Sequence, residues 1–369
     1  MKINENDIKY MKMALELAKK GIGSVNPNPL VGSIVVKDNK VIGKGYHKFF
    51  GGAHSEVYSL DEAGINAKGA TIYVTLEPCS HHGKTPPCAQ KIIDMGIKKC
   101  IIGSRDPNPE VSGKGVSMLK KAGIEVIEDV LKDECDELNQ VFFKYIKTKT
   151  PYLFLKCGIT LDGKIALSNG ISKWITNSEA REKVQYYRNK FMGIMVGINT
   201  VIMENPSLIS NMKYGKNPYR IVIDPNLKIT DKFNVISNNS DEKTIIITSE
   251  VFKNSIKQKN LKKNYNIKFI YLKRKKFIMR EILEKIGKLG IDSVLLEGGE
   301  KLISLAFEEK AIDGGEIFIA NKIFGDNNAK AFISGFEPEE MDEVITLKNV
   351  KNNIYGENIG MEFYMKKYN

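Results

Sequence analysis

The first 147 residues alternate short apolar runs with stretches in which apolar residues recur every three or four positions. The runs predict strands and the stretches predict helices, and their alternation favours a layered α/β fold. The predicted helices cover residues 5–20, 54–63, 88–95, 115–122 and 131–147. The predicted strands cover 31–37, 40–46, 70–76, 99–104 and 124–127, and a loop rich in Pro and Asn, Asn26–Pro29, follows the first helix.

The same alternation restarts after Pro151. Proline disfavours helical geometry in the residue before it, so the charged helix that precedes Thr150-Pro151 ends there. We therefore predict two α/β domains, residues 1–147 and residues 151–369. Within the second, strands are predicted at 152–156, 193–197, 219–224, 244–248, 293–296 and 316–320, and a helix between Gly299 and Glu309.

The composition, with 42% hydrophobic and 27% charged residues, is that of a soluble globular protein. No segment offers the roughly 18 consecutive apolar residues of a membrane span, and the N-terminus lacks the apolar centre and cleavage site of a signal peptide. We therefore expect a cytoplasmic protein. The five cysteines are an odd number, which argues against a disulfide framework in that compartment. Cys100, Cys135 and Cys157 lie in apolar or helical surroundings and are expected to be inert thiols.

The net charge of +12 invites a nucleic-acid hypothesis, but only six of the 56 basic residues are Arg, the residue preferred for phosphate and base contacts. The densest basic run, Lys253–Lys276, contains no acidic residue and carries aromatic residues such as Tyr265 and Phe269. It fits either a polyanion-binding patch or a solvated helix and loop surface, and the second is the commoner origin of charge runs. We expect a small-molecule substrate and a homo-oligomer, with neither nucleic acid nor membrane as partner.

A cluster of metal-binding residue types stands out in the first domain. All four histidines fall between His47 and His82, beside two of the cysteines. One imidazole from His54 and two thiolates from Cys79 and Cys88 form a three-ligand set that suits Zn²⁺ and leaves a fourth position for water. Bound zinc lowers the pKa of such a water toward neutrality.

The acidic residue that accompanies this cluster is Glu56, in the sequence His54-Ser-Glu56 at the start of a predicted helix. Positions i and i+2 of a helix project about 200° apart, so Glu56 is not expected to be a fourth ligand. Together with Glu77-Pro-Cys79 it forms the H-x-E and P-C signature of nucleobase deaminases, in which the Glu is the general acid and base.

One feature of the signature is irregular, because eight residues separate Cys79 from Cys88 where two are usual. Either the loop is enlarged, or His81 or His82 supplies the third ligand. Cys88 is favoured because it opens a predicted helix after two prolines, where the helix dipole stabilises a thiolate. A closed structural zinc knuckle is a further alternative, although such a site normally recruits four protein ligands.

Several of these segments resemble one enzyme family, the bifunctional riboflavin-biosynthesis pyrimidine deaminase/reductases. They are Asn26-Pro-Asn-Pro-Leu-Val-Gly32, Gly45-Tyr-His47, Gly52-Ala-His-Ser-Glu56, Glu77-Pro-Cys79 and Gly83-Lys-Thr-Pro-Pro-Cys88. The long loop between the cysteines is specific to that family among zinc deaminases. The resemblance implies a cytidine-deaminase-like α/β/α domain and places around the substrate Asn26, His47, His82, Lys84 and Thr85.

The second half resembles the reductase half of the same family, through segments such as Lys156–Ala166, Ser172–Thr176, Gly197–Thr200, Asn205–Leu208 and Leu296–Gly299. This implies a dihydrofolate-reductase-like α/β domain that uses NADPH. The implied cofactor contacts are Gly158, Trp174, Thr200, Glu204, Gly299, Glu300, Lys301, Leu302, Ile303, Ser304 and Leu305. The implied substrate contacts are Ser172, Arg188, Leu208, Asn211 and Glu297.

Four residues depart from the family pattern. Ser55 and Gly158 each replace Ala, Glu204 replaces Asp, and Asn211 stands where a substrate-binding Arg is common. The residues themselves support part of the cofactor prediction. An apolar strand that ends in Gly298-Gly299 before a helix lets backbone N–H groups approach a phosphate, although a plain strand–turn–helix would have the same pattern.

The resemblance therefore implies two consecutive reactions on one small molecule. The first domain would remove the ring amine of 2,5-diamino-6-(5-phosphoribosylamino)pyrimidin-4-one, and the second would use NADPH to reduce the ribosyl group to a ribityl chain. Two alternatives remain at this point. One is a tRNA or free-nucleoside deaminase with an unrelated C-terminal domain, and the other is a zinc-stabilised binding module without catalysis.

Overall fold

The computed structural model describes residues 3–80, 86–108, 111–213, 215–273, 277–365 and 368. The chain divides into two compact units, residues 1–148 and residues 149–367, with Tyr368 joining the first. Within the described ranges, no helix combines the length and the apolar character needed to cross a membrane.

The first unit is a five-stranded sheet covered by helices on both faces. Its strands are β1 (Gly32–Lys37), β2 (Lys40–Tyr46), β3 (Thr71–Leu76), β4 (Lys99–Ser104) and β5 (Glu125–Ile127). Its α-helices are α1 (Glu5–Lys19), α2 (Ser55–Ala63), α3 (Cys88–Asp94), α4 (Lys114–Lys121), α5 (Lys132–Leu138) and α6 (Gln140–Thr148). The strand order is β2-β1-β3-β4-β5, with antiparallel pairing around β1 and parallel pairing from β3 to β5.

Alternating residues of the strands separate two apolar cores. Ile34 packs with helix α1, whereas its neighbour Val35 packs with helices α2, α3 and α4. Successive side chains of a strand point to opposite faces of a sheet, so the alternation assigns each helix to one face. The sequence-predicted α/β layers are therefore confirmed in this unit.

The single helix predicted at 131–147 is wrong, because the structure divides it at Asn139 into α5 and α6. The Asn139 Nδ2 donates to the Leu30 carbonyl at 3.0 Å, and its Oδ1 accepts from the Leu30 N–H at 2.8 Å. At the break the Asn139 backbone leaves helical geometry, with a φ of −108°, and its N–H donates to the Asp136 carbonyl three residues back. The break ties the loop after α1 to the end of the unit.

The second unit is built on a nine-stranded sheet. The strands of the unit, nine of which form this sheet, are β6 (Tyr152–Ile159), β7 (Lys164–Ala166), β8 (Gly193–Gly197), β9 (Tyr219–Ile223), β10 (Thr244–Ser249), β11 (Lys268–Leu272), β12 (Ser293–Leu296), β13 (Gly314–Ile319), β14 (Lys330–Ala331), β15 (Lys351–Tyr355) and β16 (Asn358–Tyr364). Its α-helices are α7 (Ser178–Lys190), α8 (Ile198–Glu204), α9 (Asn234–Ser237), α10 (Ile256–Tyr265), α11 (Met279–Gly287) and α12 (Glu300–Glu308).

The order in this sheet is β11-β10-β9-β8-β12-β6-β13-β16-β15, and β7 and β14 form a separate ribbon. Every pair from β11 to β13 is parallel, and β16 and β15 add an antiparallel edge. The central strands β12, β6 and β8 therefore end on the same side of the sheet. Residues at these ends are therefore brought together. For example, the N–H of Gly197 at the end of β8 donates to the carbonyl of Gly298 after β12 at 3.4 Å.

Helix α10 and strand β11 account for most of the basic run Lys253–Lys276. Ser255 caps α10, and Lys259, Lys262 and Lys263 are exposed on it, while Leu261 faces the core. This arrangement fits the solvated-surface interpretation of the run. Arg274 to Lys276 lie outside the described residues.

Helix α2 lies unusually close to strand β2. A Cβ atom at Gly45 would stand 2.1 Å from the Ser55 carbonyl oxygen, and one at Gly43 would stand 2.0 Å from that of Ser59. Only glycine permits backbone contact at these distances. The two glycines therefore allow the short distance between strand β2 and helix α2, whose N-cap is His54.

We predict that Gly45→Ala lowers the free energy of unfolding of the first unit by about 1–3 kcal/mol, because the helix must move outward to admit the methyl group. Urea unfolding followed by circular dichroism measures the change. Lys44→Ala is the control, since Lys44 is exposed on the same strand. Equal stability of the two variants would contradict the prediction.

Candidate functional site

Three separate segments bring the predicted metal ligands together. His54 is the N-cap of α2, Cys79 lies just beyond the end of β3, and Cys88 is the first residue of α3. The His54 Nδ1 lies 3.2 Å from the Cys88 Sγ and 3.5 Å from the Cys79 Sγ. All three ligand atoms fall within 4.8 Å of one another, and the described residues contain no other such cluster of His, Cys, Asp and Glu.

These separations fit a zinc ion. Zn–N and Zn–S bonds of about 2.0–2.3 Å at tetrahedral angles place ligand atoms roughly 3.5–3.8 Å apart. The donor set is one imidazole and two thiolates, which zinc prefers, and it leaves one tetrahedral position open. Cys88, favoured by the sequence over the two neighbouring histidines, is part of this cluster. His81 and His82 lie outside the described residues.

The two thiols are electrostatically linked. The Cys88 thiol donates to Cys79 and lowers the pKa of the Cys79 thiol to about 4. The backbone N–H of Cys88 also donates to the Cys79 Sγ at 3.3 Å. Both hydrogen bonds favour the thiolate form of Cys79, which is the form in which a cysteine binds a metal ion.

Glu56 lies in the first turn of α2, two residues after His54, and is only 3% exposed. Burial raises the pKa of its carboxyl group, against the opposing attraction of His54. The Ser55 hydroxyl donates to the Glu56 Oε2 at 2.8 Å and fixes one edge of the carboxylate. Ser55 stands where the resembling family has Ala, and its hydroxyl adds a hydrogen bond to Glu56 that Ala could not make.

His47 has both ring nitrogens engaged within the protein. Its Nδ1 donates to the Ala53 carbonyl at 2.9 Å, and its Nε2 accepts from the Asn28 side-chain amide at 3.1 Å. Because the Ala53 oxygen can only accept, the proton is assigned to Nδ1. Burial lowers the pKa of His47 and favours this neutral form. Its ring lies edge-on to that of His54, with centroids 5.8 Å apart.

Sequence reasoning chose Asn26 for the substrate site and did not select Asn28, two residues later. Asn28 is the residue that contacts His47. The motif contains both asparagines, and nothing in their spacing distinguishes them. His82, Lys84 and Thr85, the other substrate contacts implied by the resemblance, lie outside the described residues.

In the second unit a charged network surrounds Glu297, directly after β12. The Arg188 guanidinium donates Nε to Oε1 at 2.8 Å and Nη2 to Oε2 at 2.9 Å, and the Lys156 Nζ lies 3.5 Å from Oε2. Burial would raise the pKa of Glu297, but the two cations outweigh it and hold that pKa at about 2. The sequence did not indicate Lys156 as a site residue, although Lys156 begins the segment Lys156–Ala166, which resembles the reductase family.

The other predicted substrate contacts, Ser172, Leu208 and Asn211, differ in their burial and in their hydrogen-bond partners. The Ser172 hydroxyl donates to the Glu204 carboxylate at 2.8 Å, so a predicted substrate residue and a predicted cofactor residue are in contact. Leu208 is buried with a φ of +52°. Asn211 is exposed, and its backbone N–H donates to Gln185 at 3.0 Å.

The turn between β12 and α12 has the form of a phosphate cradle. Gly298 and Gly299 have φ values of +75° and +89°, and a Cβ at Gly299 would stand 3.3 Å from the Thr200 Oγ1. Backbone N–H groups at the start of the helix can face an anion at such a turn. Leu302 and Ile303, predicted to contact the cofactor, belong to the apolar core. They could reach a cofactor only through their backbone.

Trp174 and Gly158 are two further predicted cofactor residues. The Trp174 side chain is 64% exposed, and the Arg181 guanidinium lies 4.5 Å from its ring centroid, within the range of a cation–π contact. A Cβ at Gly158 would stand 3.1 Å from the Thr176 Cγ2, so glycine leaves Thr176 room there.

Two family models match the chain. Residues 4–104 match the cytidine and deoxycytidylate deaminase zinc-binding region, and residues 151–359 match the RibD C-terminal domain. The riboflavin biosynthesis protein RibD of Actinobacillus pleuropneumoniae is 42% identical over 97% of this chain and 95% of its own length. That of Aquifex aeolicus is 41% identical over 99% of this chain and all of its own length.

Solved structures agree with these matches. Acinetobacter baumannii RibD, 34% identical, superposes with a TM-score of 0.89 over 98% of this chain and 99% of its own. The diaminohydroxyphosphoribosylaminopyrimidine deaminase/5-amino-6-(5-phosphoribosylamino)uracil reductase of Thermotoga maritima, 39% identical, gives 0.87 over 97% and 98%. The chain therefore belongs to the RibD family of riboflavin biosynthesis, which joins a zinc-dependent deaminase to an NADPH-dependent reductase.

Proposed function

We propose that the two activities are divided between the domains. Residues 1–147 hydrolytically deaminate 2,5-diamino-6-(5-phosphoribosylamino)pyrimidin-4-one, and residues 151–369 reduce its ribosyl group to a ribityl chain. The observation that carries the proposal is the convergence of His54, Cys79 and Cys88 beside the buried Glu56. The match of residues 151–359 to the RibD C-terminal domain supports the second half and argues against a deaminase with an unrelated C-terminal domain.

In the deaminase, His54, Cys79 and Cys88 would hold the zinc ion. When bound, zinc supplies a water of lowered pKa as the nucleophile. With zinc in place, Glu56 would accept one proton of the attacking water and deliver it to a ring nitrogen, and would then carry the second proton of that water to the amine, which leaves as ammonia. Ser55 keeps the carboxylate in one orientation through its 2.8 Å hydrogen bond.

In the reductase, the glycines before α12 and the side chains of Trp174 and Thr200 would bind NADPH. When bound, the cofactor supplies the hydride. Arg188 commits three N–H groups, two to Glu297 and one to the Ile209 carbonyl at 3.4 Å. A guanidinium has five donors, so two remain for a substrate phosphate or hydroxyl. Lys156, beside Glu297, adds a second positive charge for the same ligand.

We also propose that the protein works in the cytoplasm and does not bind nucleic acid. The scarcity of Arg and the solvated placement of the lysines on α10 support the second statement. A homo-oligomer stays a prediction, and light scattering on the purified protein would test it.

The proposed function is tested by offering the phosphoribosyl diaminopyrimidine to the purified enzyme with and without NADPH. Mass spectrometry should show one amine replaced by oxygen without the cofactor, and a further gain of two hydrogens with it. An unchanged substrate in both reactions would refute the proposal.

We predict that Glu56→Gln lowers the deamination rate at least 10²-fold, because an amide cannot carry the proton between water and amine. Zinc content, measured by competition with a chromophoric chelator, should be unchanged, since Glu56 is not among the ligand atoms. The reductase activity of the same molecule should be retained. Glu62→Gln, an equivalent change farther along α2, serves as the control.

A different result for Glu56 would identify one of the alternatives. Deamination that survives Glu56→Gln would contradict its role as proton carrier. Loss of zinc in Glu56→Gln but not in Glu62→Gln would show that the carboxylate supports the metal rather than the reaction.

We predict that Glu297→Gln destabilises the second unit by about 3–5 kcal/mol at pH 7, because Arg188 loses its buried counter-charge. The pKa of Glu297 is about 2 in the folded protein against an ordinary value of 4.5. Its stabilising contribution is therefore complete above about pH 4.5 and lost as the pH falls toward 2. The variant should lose less stability than the wild type between pH 5 and pH 3.

Denaturant unfolding at several pH values measures this effect, together with the reductase rate, which should fall while deamination is spared. Glu284→Gln is the control, because Glu284 pairs with Arg280 at an exposed position and such pairs contribute little. Parallel pH profiles for Glu297→Gln and the wild type would contradict the assigned ionisation.

A further inference from the structure

Glu77 precedes the metal ligand Cys79 by two residues and is not part of the donor set. Its side chain is buried, with 4% of its surface exposed. A carboxylate in such a position requires hydrogen-bond donors or cations to offset its lost hydration. The deaminase mechanism above assigns it no task.

The donors come from the N-terminus of helix α4. The Glu77 Oε1 accepts from the backbone N–H groups of Gly115 at 3.0 Å and Val116 at 3.2 Å. Its Oε2 accepts from Gly113 at 3.0 Å and, more weakly, from Asp106 at 3.4 Å. The N–H groups of Gly113, Gly115 and Val116 are ones that the start of α4 leaves without intrahelical partners, and the helix dipole adds to the attraction.

The backbone after Glu77 is held against the same helix. A Cβ at Gly115 would stand 2.0 Å from the Pro78 carbonyl oxygen, so α4 and the peptide that leads into Cys79 are in direct contact. On its other side Cys79 is held by helix α3, because its carbonyl accepts from the Ala89 N–H at 3.1 Å. Cys79 therefore lies between two helix N-termini, and Glu77 makes the connection to one of them.

We propose that Glu77 is a positioning residue for the metal site, which anchors the Cys79 thiolate to the N-terminus of α4. The proposal rests on the proposed zinc function of His54, Cys79 and Cys88. The carboxylate acts by holding backbone, and it touches neither the metal nor the substrate. Its removal should loosen the metal site while the reductase unit is unaffected.

The experiment compares Glu77→Gln with Glu128→Gln and the wild type. Glu128 is a carboxylate of the same unit that accepts from Arg105 at 2.7 Å and Lys120 at 3.0 Å, so its loss costs ion pairs without touching the Cys79 segment. In Glu77→Gln an amide NH₂ faces backbone donors that need an acceptor. Outer-shell changes of this kind weaken metal affinity by about 10–100-fold.

Two measurements report on the site apart from turnover. Competition with a chromophoric chelator should give a zinc dissociation constant raised about 10-fold or more in Glu77→Gln and unchanged in Glu128→Gln. The absorption spectrum of the Co²⁺-substituted protein should show altered thiolate-to-metal bands only in Glu77→Gln. Glu77→Asp, which keeps the charge but is one methylene shorter, should fall between the two.

A third measurement needs only the wild-type chain and therefore holds even if Glu77→Gln does not fold. Coupling between two sites is reciprocal, so zinc binding must stabilise the α4 N-terminus if that terminus stabilises Cys79. Peptides that cover residues 111–121 should exchange amide hydrogens more slowly with zinc than after chelation.

The proposal is overturned if Glu77→Gln keeps wild-type zinc affinity and cobalt spectrum, or if Glu128→Gln loses zinc equally. It is also overturned if exchange at 111–121 does not respond to zinc. A wild-type chain that binds no zinc would instead refute the proposed function itself, and the two failures are thereby distinguished.

Discussion

The deaminase site depends on one packing constraint, the contact between the start of helix α2 and strand β2. Gly43 and Gly45 let the helix backbone approach the strand to distances that any side chain would prevent. The position of the helix places the His54 Nδ1 within 3.5 Å of both cysteine sulfurs and buries Glu56 in the same first turn. A shift of about 1 Å would separate the imidazole from the thiolates, and metal geometry tolerates little such error.

In the reductase unit, the ends of parallel strands bring the site residues together. Parallel strands β6, β8 and β12 finish at one side of the sheet, where open α/β sheets place their ligands. Glu297 and the two glycines after it continue from β12, and Arg188 reaches Glu297 from helix α7. In the first unit Cys79 follows strand β3, and in the second unit Glu297 follows strand β12, so in both units a rigid strand holds a short polar segment.

The sequence predicted the parts of the fold with a strong apolar period and the cluster of His54, Cys79 and Cys88. The physical reasons for these predictions also explain where the sequence failed. Strands such as β4 and β8 are continuous apolar runs and were placed correctly. Helix α7 was not predicted because only Ala180, Val184 and Tyr187 form its buried stripe. The break at Asn139 and the Asn28–His47 contact depend on bonds between residues far apart in sequence, which local patterns do not encode. The Glu77 contacts to α4 are of the same kind.

Two buried glutamates illustrate how environment assigns chemistry to one residue type. Glu56 is buried and accepts a hydrogen bond from the Ser55 hydroxyl, and burial raises the pKa of its carboxyl group. The Glu297 side chain is 8% exposed, but Arg188 and Lys156 hold its pKa at about 2. A carboxyl group with a raised pKa binds a proton more readily than an ordinary one, which suits the role of proton carrier proposed for Glu56. A carboxylate that keeps its negative charge serves instead to hold its two cations in place. The two roles follow from the neighbours that each strand and helix supplies.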